Sequence, residues 1–493
     1  MQAWREFAVR SLKRPAVVMG LLAALLATQI LPLWTPTPDG AGYLSIARSM
    51  AHGGPVTNMG SPKLHYPPGY PLLISPAFWF GDRPFLLLAL VQWLFAVAIM
   101  LGVYRWARQW FPGSELWITA LVMSNVSLWI HARTTISEMP FMALLIWTAI
   151  ALDRLAAAPT ARSATVWSLV GATAIAALGM IRPVGILIVT GYALVVFLQA
   201  RGGRISWRRA VGTTFVLGAP AAVAIAALIA YEARTAAEYG TRGDPTYLHE
   251  FKAADLPLAV QLLEGLRVRV AEVGRLLLPG MNKSYAKPYQ WVNVNTLIYT
   301  PFFVAIAWAW WQIAVAGGST LWLMVPCYLA LYIAYPSDQG TRYLLPLLPV
   351  LAVCLWWFVW QASRRRVQVL AGFVAAHLLV TIAYSSHSTV RLARLGHEWQ
   401  AVDAFAEIMR RDPRPVACWN APYGIRELTM VASDHWCGEV HGPETAVPDE
   451  VDWLVAEADA PSCDGFVERA REGDLKLLGR VAHVAHARAK TLR

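Results

Sequence analysis

The chain has 493 residues, of which 57% are hydrophobic and only 15% charged, and its mean hydropathy is +0.43. Soluble globular chains run at about 45–50% apolar and about 25% charged, so a soluble multidomain protein is excluded. Five cysteines are too few for a disulfide scaffold, and the 34 Gly and 31 Pro follow no three-residue period, which excludes a collagen-like chain.

A polytopic membrane protein, all-α in its membrane part, remains. The net charge of +11 is unevenly spread: residues 1–385 carry 29 Lys/Arg against 14 Asp/Glu, whereas residues 386–493 carry 13 against 17. The first part is expected to be the membrane domain and the second a small soluble α/β domain. The basic excess belongs to membrane loops, and no nucleic-acid partner is expected.

A membrane-crossing helix needs about 20 apolar residues. About eleven such stretches lie near 16–34, 84–104, 115–131, 139–153, 164–181, 183–199, 210–230, 294–314, 320–335, 343–361 and 367–385. The first has a basic start and no clear cleavage site, and reads as a signal anchor. Arg5, Arg10, Lys13 and Arg14 precede the first stretch, and Arg105 and Arg108 follow the second. Arg154 and Arg162 flank a later turn, Arg201, Arg204, Arg208 and Arg209 follow the sixth stretch, and Arg364 to Arg366 follow the tenth. All fall on one side, which the positive-inside rule makes cytoplasmic in a cell inner (plasma) membrane. An odd number of spans then puts the tail outside, together with two long loops at about 35–83 and 231–292. Trp34, Trp79, Trp110 and Trp129 fall near span ends, where interfacial aromatics belong.

Acidic residues are scarce in the membrane part, so each one at a membrane boundary calls for a reason. Asp39, in the run Thr37-Pro38-Asp39-Gly40, either caps a short interfacial helix carrying Leu44, Ala47 and Ala51 on its apolar face, or does chemistry. In the run Ser61-Pro62-Lys63-Leu64-His65-Tyr66-Pro67-Pro68-Gly69-Tyr70, the prolines stiffen the segment. Lys63, His65 and Tyr66 are then held either as a binding loop or as a membrane re-entry with a snorkelling lysine. Glu138, in Ser137-Glu138-Met139-Pro140, is favoured by the helix dipole at a helix start. Arg182 and the Arg342-Tyr343 pair lie on the outer side, against the charge bias, which suits an anionic ligand as well as snorkelling. From Leu256 to Leu278, apolar residues at helical spacing alternate with Arg267, Arg269 and Arg275, the pattern of a helix lying on anionic lipid. The chain contains no HExxH motif, phosphate loop, dinucleotide fingerprint or zinc spacing.

Taken in order, an Asp after the first span, YPPGYPLL, SEMPF at a later outer boundary and RYLLPLLP before a late span resemble the GT-C glycosyltransferases. The nearest branch is the bacterial side of the protein O-mannosyltransferase family, including the lipid A aminoarabinose transferases and Rgt-type transferases. The resemblance covers roughly residues 10–385. It implies a sugar on a polyprenyl phosphate as donor, and a lipid, glycan or protein hydroxyl as acceptor, with hexosyl or pentosyl transfer outside the cytoplasm. It implies Asp39 as general base, Glu138 as a residue orienting the acceptor or touching a metal, and Lys63 and Arg342 beside the lipid phosphate. Some members carry two adjacent acids in the first loop; here Gly40 follows Asp39, which leaves a divalent metal open. One base opposite a phosphate leaving group predicts inversion at the anomeric carbon.

Two other classes compete. A lipid-linked sugar flippase or transporter would show paired broken helices and mid-membrane charges, which the sequence does not clearly present. An O-antigen ligase or polymerase would carry its large loop late in the chain. In the tail, a helix near 402–409 and strands near 415–418, 452–455 and 476–481 are expected. One disulfide is expected among Cys418, Cys437 and Cys463, with the pair left open. Cys327 and Cys354 read as packing residues.

Overall fold

A computed structural model describes residues 15–53, 56–59, 66–239, 257–278, 294–335 and 340–411, and in the C-terminal part 416–419, 429–430, 437–440, 453–457, 466–472 and 475–480. Lys63, His65 and Cys463 lie outside the described residues, as does the side chain of Cys437, so the disulfide expectation does too.

The membrane part is a helical bundle. Among the described residues, eight segments are long and apolar enough to cross a bilayer. They belong to α4 (Phe85–Trp110), α7 (Glu138–Ala156), α8 (Ala161–Ile181), α9 (Ile188–Arg201, entered through the 3₁₀ turn Pro183–Leu187), α10 (Trp207–Tyr239), α12 (Val294–Gly317), α14 (Leu348–Ala362, entered through Leu345–Leu347) and α15 (Arg366–Arg411). Two shorter apolar helices, α1 (Pro15–Ala27) and α13 (Thr320–Ala334), complete ten of the eleven expected spans. Pro220, Pro301 and Pro326 sit inside helices, as bundle helices tolerate when neighbours re-satisfy the freed backbone.

The eleventh, expected at 115–131, is not one helix. It breaks into α5 (Glu115–Met123) and α6 (Val126–Arg133). The Asn125 side chain accepts from the Ser127 N–H at 2.9 Å and donates through Nδ2 to the Leu276 carbonyl at 2.5 Å. A side-chain cap that also reaches a second helix outweighs continued apolar helix at this point.

The short helices gather at the end of the bundle where α7 begins. These are α2 (Pro38–Ala51), α3 (Gly69–Ile74) with its 3₁₀ continuation Ser75–Phe80, and α6. At the other end of α7, Asp153 accepts from the Thr320 N–H at 2.8 Å and from Trp110 Nε1 at 3.2 Å, and Arg209 reaches the Ala158 carbonyl. The basic loops near 105–110, 154–162 and 201–209 therefore meet at the end opposite Asp39 and Glu138.

The helix expected on the membrane surface forms as α11 (Leu258–Leu277), but it is docked into the bundle with Arg269, Glu272 and Arg275 buried. Arg267 pairs with Glu264 and Arg269 with Glu272, so these two cations are held in pairs within α11, while Leu258, Leu262, Leu263 and Leu266 stay exposed. Trp34 and Trp129, expected at the interface, are buried as well.

The tail does not begin at a break. α15 runs unbroken for 46 residues, from the last span through the expected boundary at 385/386, to a five-stranded sheet. The strands are β1 (Val416–Trp419), β2 (Cys437–Val440), β3 (Trp453–Glu457), β4 (Phe466–Glu472) and β5 (Leu475–Arg480), in the order β2-β1-β3-β5-β4. β1 pairs in parallel with β2 and β3, whereas β5 is antiparallel to β3 and β4. Val402, Phe405, Ala406 and Met409 of α15 are buried, as are Leu454, Val455, Leu475 and Leu477 of the sheet. Beyond the membrane, α15 reaches back to the first long loop: Asp403 pairs with Arg83, whose guanidinium lies 4.6 Å from the Trp399 ring centroid. Arg133 of α6 donates to the Ser385 carbonyl at 3.0 Å and to Thr389 Oγ1 at 2.5 Å.

Replacing Asn125 with Ala removes the cap and leaves the buried Leu276 carbonyl without its donor. The expected loss is about 2 kcal/mol of stability, read as a lowered thermal midpoint in detergent. An unchanged melting curve would remove this break from the elements that hold α5, α6 and α11 together.

Candidate functional site

The segment before Asp39 is fixed from both sides. Thr35 forms a parallel bridge with Thr134, which ties the entry of α2 to the strand-like stretch before Glu138. Thr37 caps α2, its hydroxyl accepting from the Gly40 N–H at 3.0 Å, and Pro38 occupies the first helical turn. The capping role open to Asp39 is thus filled by Thr37. Asp39 instead turns its carboxylate to two partners: Oδ1 accepts from the Tyr66 hydroxyl at 2.9 Å and Oδ2 pairs with Arg342 Nη1.

Tyr66 can reach Asp39 because Gly42 carries no side chain. A Cβ there would lie 2.4 Å from the Tyr66 ring. The Tyr66 ring also packs against Tyr43 at 4.6 Å between centroids, and Tyr43 meets Tyr70 edge-on at 4.9 Å. Burial first, and the Asp39 charge second, push the Tyr43 phenol well above its ordinary value. It stays protonated and donates to Ser137 Oγ at 3.1 Å. Gly69 sets the position of the YPPGYP segment: a Cβ there would lie 2.6 Å from the Met180 carbonyl, two residues before Arg182.

Glu138 is fully buried in the first turn of α7. Its Oε1 accepts from Arg182 Nη1 at 2.9 Å and from Arg342 Nε, while its buried Oε2 has no hydrogen-bond partner. Arg182 is held between rings, its Cζ 5.7 Å from the Phe141 centroid and 5.2 Å from that of Tyr343. Tyr343 stacks on Tyr332 at 4.7 Å, and its carbonyl accepts from the Tyr328 hydroxyl at 2.9 Å. Thr341, beside Arg342, donates to Ser127 Oγ at 3.0 Å. Burial alone would lower the pKa of Arg342, but Glu138 and then Asp39 raise it far above the ordinary arginine value, so the guanidinium remains charged.

One cation, Arg342, therefore bridges the two carboxylates that the sequence singled out. Among the described residues the cluster holds two anions and two cations. Its members differ in access: the Asp39 side chain is 28% exposed and Arg342 19%, against 12% for Arg182 and 0% for Glu138. Asp39 is the carboxylate that an incoming group can reach, and Glu138 is placed to hold the two arginines in position.

The structure thus gathers Asp39, Tyr66, Glu138, Arg182, Arg342 and Tyr343 into one site. Arg182 and Arg342 form internal ion pairs with Glu138 and Asp39. His131 escaped the sequence reading. It lies one helical turn after Ser127, on the same face of α6, within electrostatic reach of Glu138, Arg342 and Arg182, and its Nδ1 is buried without a hydrogen-bond partner. No spacing rule marks it, because its neighbours in the site come from distant parts of the chain. Tyr332 and Tyr328 were missed for the same reason.

The described residues do not fit a divalent metal. No three His, Cys, Asp or Glu side chains converge among them, and a cation between Asp39 and Glu138 would face two guanidinium groups. An apolar cavity of about 230 Å³ opens between α11, α12, α13 and α14, lined by residues including Val273, Phe303, Trp310, Leu329, Leu344 and Leu351.

The multi-pass helical bundle with its small C-terminal α/β domain shares its fold with solved membrane-protein structures. It is similar to ArnT from Cupriavidus metallidurans bound to undecaprenyl phosphate, with a TM-score of 0.56 and 12% identity over 95% of this chain and 98% of that one. It is similar to the same protein in its apo state, with a TM-score of 0.51 and 13% identity over 98% and 99% of the two chains. The Archaeoglobus fulgidus oligosaccharyltransferase, in complex with zinc and sulfate, aligns with a TM-score of 0.51 and 11% identity over 89% of this chain and 68% of that one. No family model and no curated protein sequence matches the chain.

The unequal burial of the two carboxylates has a measurable consequence. Glu138→Ala leaves two arginines without their buried counter-charge and is expected to cost about 3 kcal/mol. Asp39→Ala, at the exposed edge, is expected to cost under about 1 kcal/mol. Thermal unfolding of the two variants in detergent should separate them clearly; equal midpoints would contradict the structural role of Glu138.

Proposed function

We propose that the protein is an integral-membrane glycosyltransferase that moves a monosaccharide from a polyprenyl-phosphate donor to an acceptor hydroxyl on the extracytoplasmic side, with inversion. The observation that carries this reading is a single part-exposed carboxylate, Asp39, beside two guanidinium groups at the mouth of a GT-C fold. In the reaction, Asp39 takes the proton of the acceptor hydroxyl as its oxygen attacks the anomeric carbon, while the bond from that carbon to the phosphate oxygen breaks on the opposite face. The leaving lipid phosphate needs cations and little else, and Arg342 with Arg182 supplies them in a water-poor setting. Tyr66 orients the Asp39 carboxylate, and Tyr343 fixes Arg182. Lys63 and His65 stand shortly before Tyr66 in the sequence, and we assign them to donor binding on that sequence position alone.

The donor reading also draws on the solved ArnT complex, whose ligand is undecaprenyl phosphate. In this chain we assign the first isoprene units to the apolar cavity whose lining includes Leu344, two positions along the chain from Arg342. The acceptor is a lipid, glycan or protein hydroxyl. A flippase or transporter finds less support: the charges of the site, Asp39, Glu138, Arg182 and Arg342, are paired with one another.

Purified protein incubated with a panel of radiolabelled polyprenyl-phosphate sugars should consume at least one; consumption of none would remove the donor assignment. With that donor, Asp39→Asn should lower transfer by about 100-fold or more at near-normal thermal stability, because Thr37 and not Asp39 caps α2. Transfer close to wild type would end the role of Asp39 as base. Arg342→Ala should lower donor use on the order of ten-fold or more, through loss of a charge-assisted contact, whereas Arg364→Ala at the basic end should leave it near wild type. A topology reporter joined after residue 493 should be active only outside the cytoplasm.

A further inference from the structure

The site without donor carries no spare positive charge among its described residues. Arg342 is bonded to both carboxylates, Arg182 is bonded to Glu138, and the two anions balance the two cations. A lipid phosphate approaching this cluster meets a closed set of ion pairs, and the Asp39 carboxylate that must accept a proton is itself masked by a guanidinium. Of the three contacts that the two arginines make, the Arg342–Asp39 pair lies at the exposed edge. The two contacts to Glu138 lie inside, on a carboxylate with no solvent access. The outer pair is the one that a second anion can displace at low desolvation cost.

From this geometry we propose that the donor phosphate binds by ion-pair exchange. It takes the Asp39 place on Arg342, so Asp39 is unmasked as a base only in the donor complex, and the donor binds before the acceptor. The inference rests on the reading of the protein as a polyprenyl-phosphate glycosyltransferase. No covalent bond changes in the exchange: the Arg342–carboxylate pair opens, an Arg342–phosphate pair forms, and the freed Oδ2 is left facing the position an acceptor hydroxyl must occupy. Tyr66 keeps hold of Oδ1 at 2.9 Å throughout, so the carboxylate is released without being left to swing. Arg342 stays anchored because its Nε contact to Glu138 is untouched and Thr341 remains tied to Ser127. Arg342 is thus the element through which donor binding and base activation are coupled, and a coupling of this kind is reciprocal.

The exchange makes a binding prediction that opposes intuition about a catalytic mutant. Undecaprenyl phosphate, titrated into the purified full-length protein in detergent, should bind Asp39→Asn about five-fold or more tighter than wild type, because the phosphate no longer has to displace a carboxylate. Arg342→Gln should bind it on the order of ten-fold more weakly. The double variant separates exchange from a general field effect. If Asp39 acts by occupying Arg342, adding Asp39→Asn to Arg342→Gln changes affinity by less than about two-fold. If Asp39 merely repels phosphate through space, the same tightening appears in both backgrounds and the proposal is overturned. It is likewise overturned if Asp39→Asn binds no tighter than wild type while melting at the wild-type temperature. Should Asp39→Asn lower the melting temperature, Asp39→Ser replaces it in the same cycle with the same expected outcome. These readouts do not depend on turnover. Loss of the coupling with transfer still abolished in Asp39→Asn would sink the exchange alone; intact coupling with normal transfer would sink the assignment of Asp39 as base.

Discussion

The Arg342 guanidinium, shared between Asp39 and Glu138, is the contact on which the rest of the site depends. It joins the first long loop to the start of α7 and to the segment before α14, three stretches separated by about 100 and 200 residues. A charge this far inside a bundle is tolerated only when paired, and the pairing dictates the local architecture. Glu138 must stand at the helix start, Arg182 must enter between Phe141 and Tyr343, and α2 must bring Asp39 to the outer edge.

Most of the fold could be read from the sequence because membrane helices are specified by composition over some twenty residues, a signal that needs no long-range information. The reading failed where a single polar side chain decides. Asn125 breaks an otherwise apolar run because its amide serves Ser127 and Leu276 together, and Leu276 is 151 positions away. The amphipathic stretch 256–278 has the pattern of a surface helix, yet α11 is docked over its second half, where Val268, Val273, Leu276 and Leu277 are buried, while Leu258, Leu262, Leu263 and Leu266 stay exposed. Periodicity reports that one face is apolar; it does not say whether lipid or protein covers it.

The site was legible in parts. Scarcity of acids in the membrane part made Asp39 and Glu138 visible, and position against the charge bias made Arg182 and Arg342 visible. What the sequence left open was their arrangement. Thr37 takes the cap that would have explained Asp39, and Glu138 is buried by the arginines it holds. His131, Tyr328 and Tyr332 carry no local mark, because each matters only through neighbours that the fold brings from elsewhere.

α15 has a consequence for how the two parts of the molecule are joined. At 46 residues it is about 69 Å long, more than twice the roughly 30 Å hydrocarbon thickness of a bilayer. It is fastened at three heights: to Arg133 through Ser385 and Thr389, to Arg83 through Asp403, and to the sheet, where it packs against β4 and β5. It works as a splint. One continuous helix thus connects the C-terminal sheet with Arg83 at the end of the first loop and with Arg133 of α6. Truncation at residue 385 would remove Thr389, Trp399 and Asp403 together, and with them the brace on the first loop.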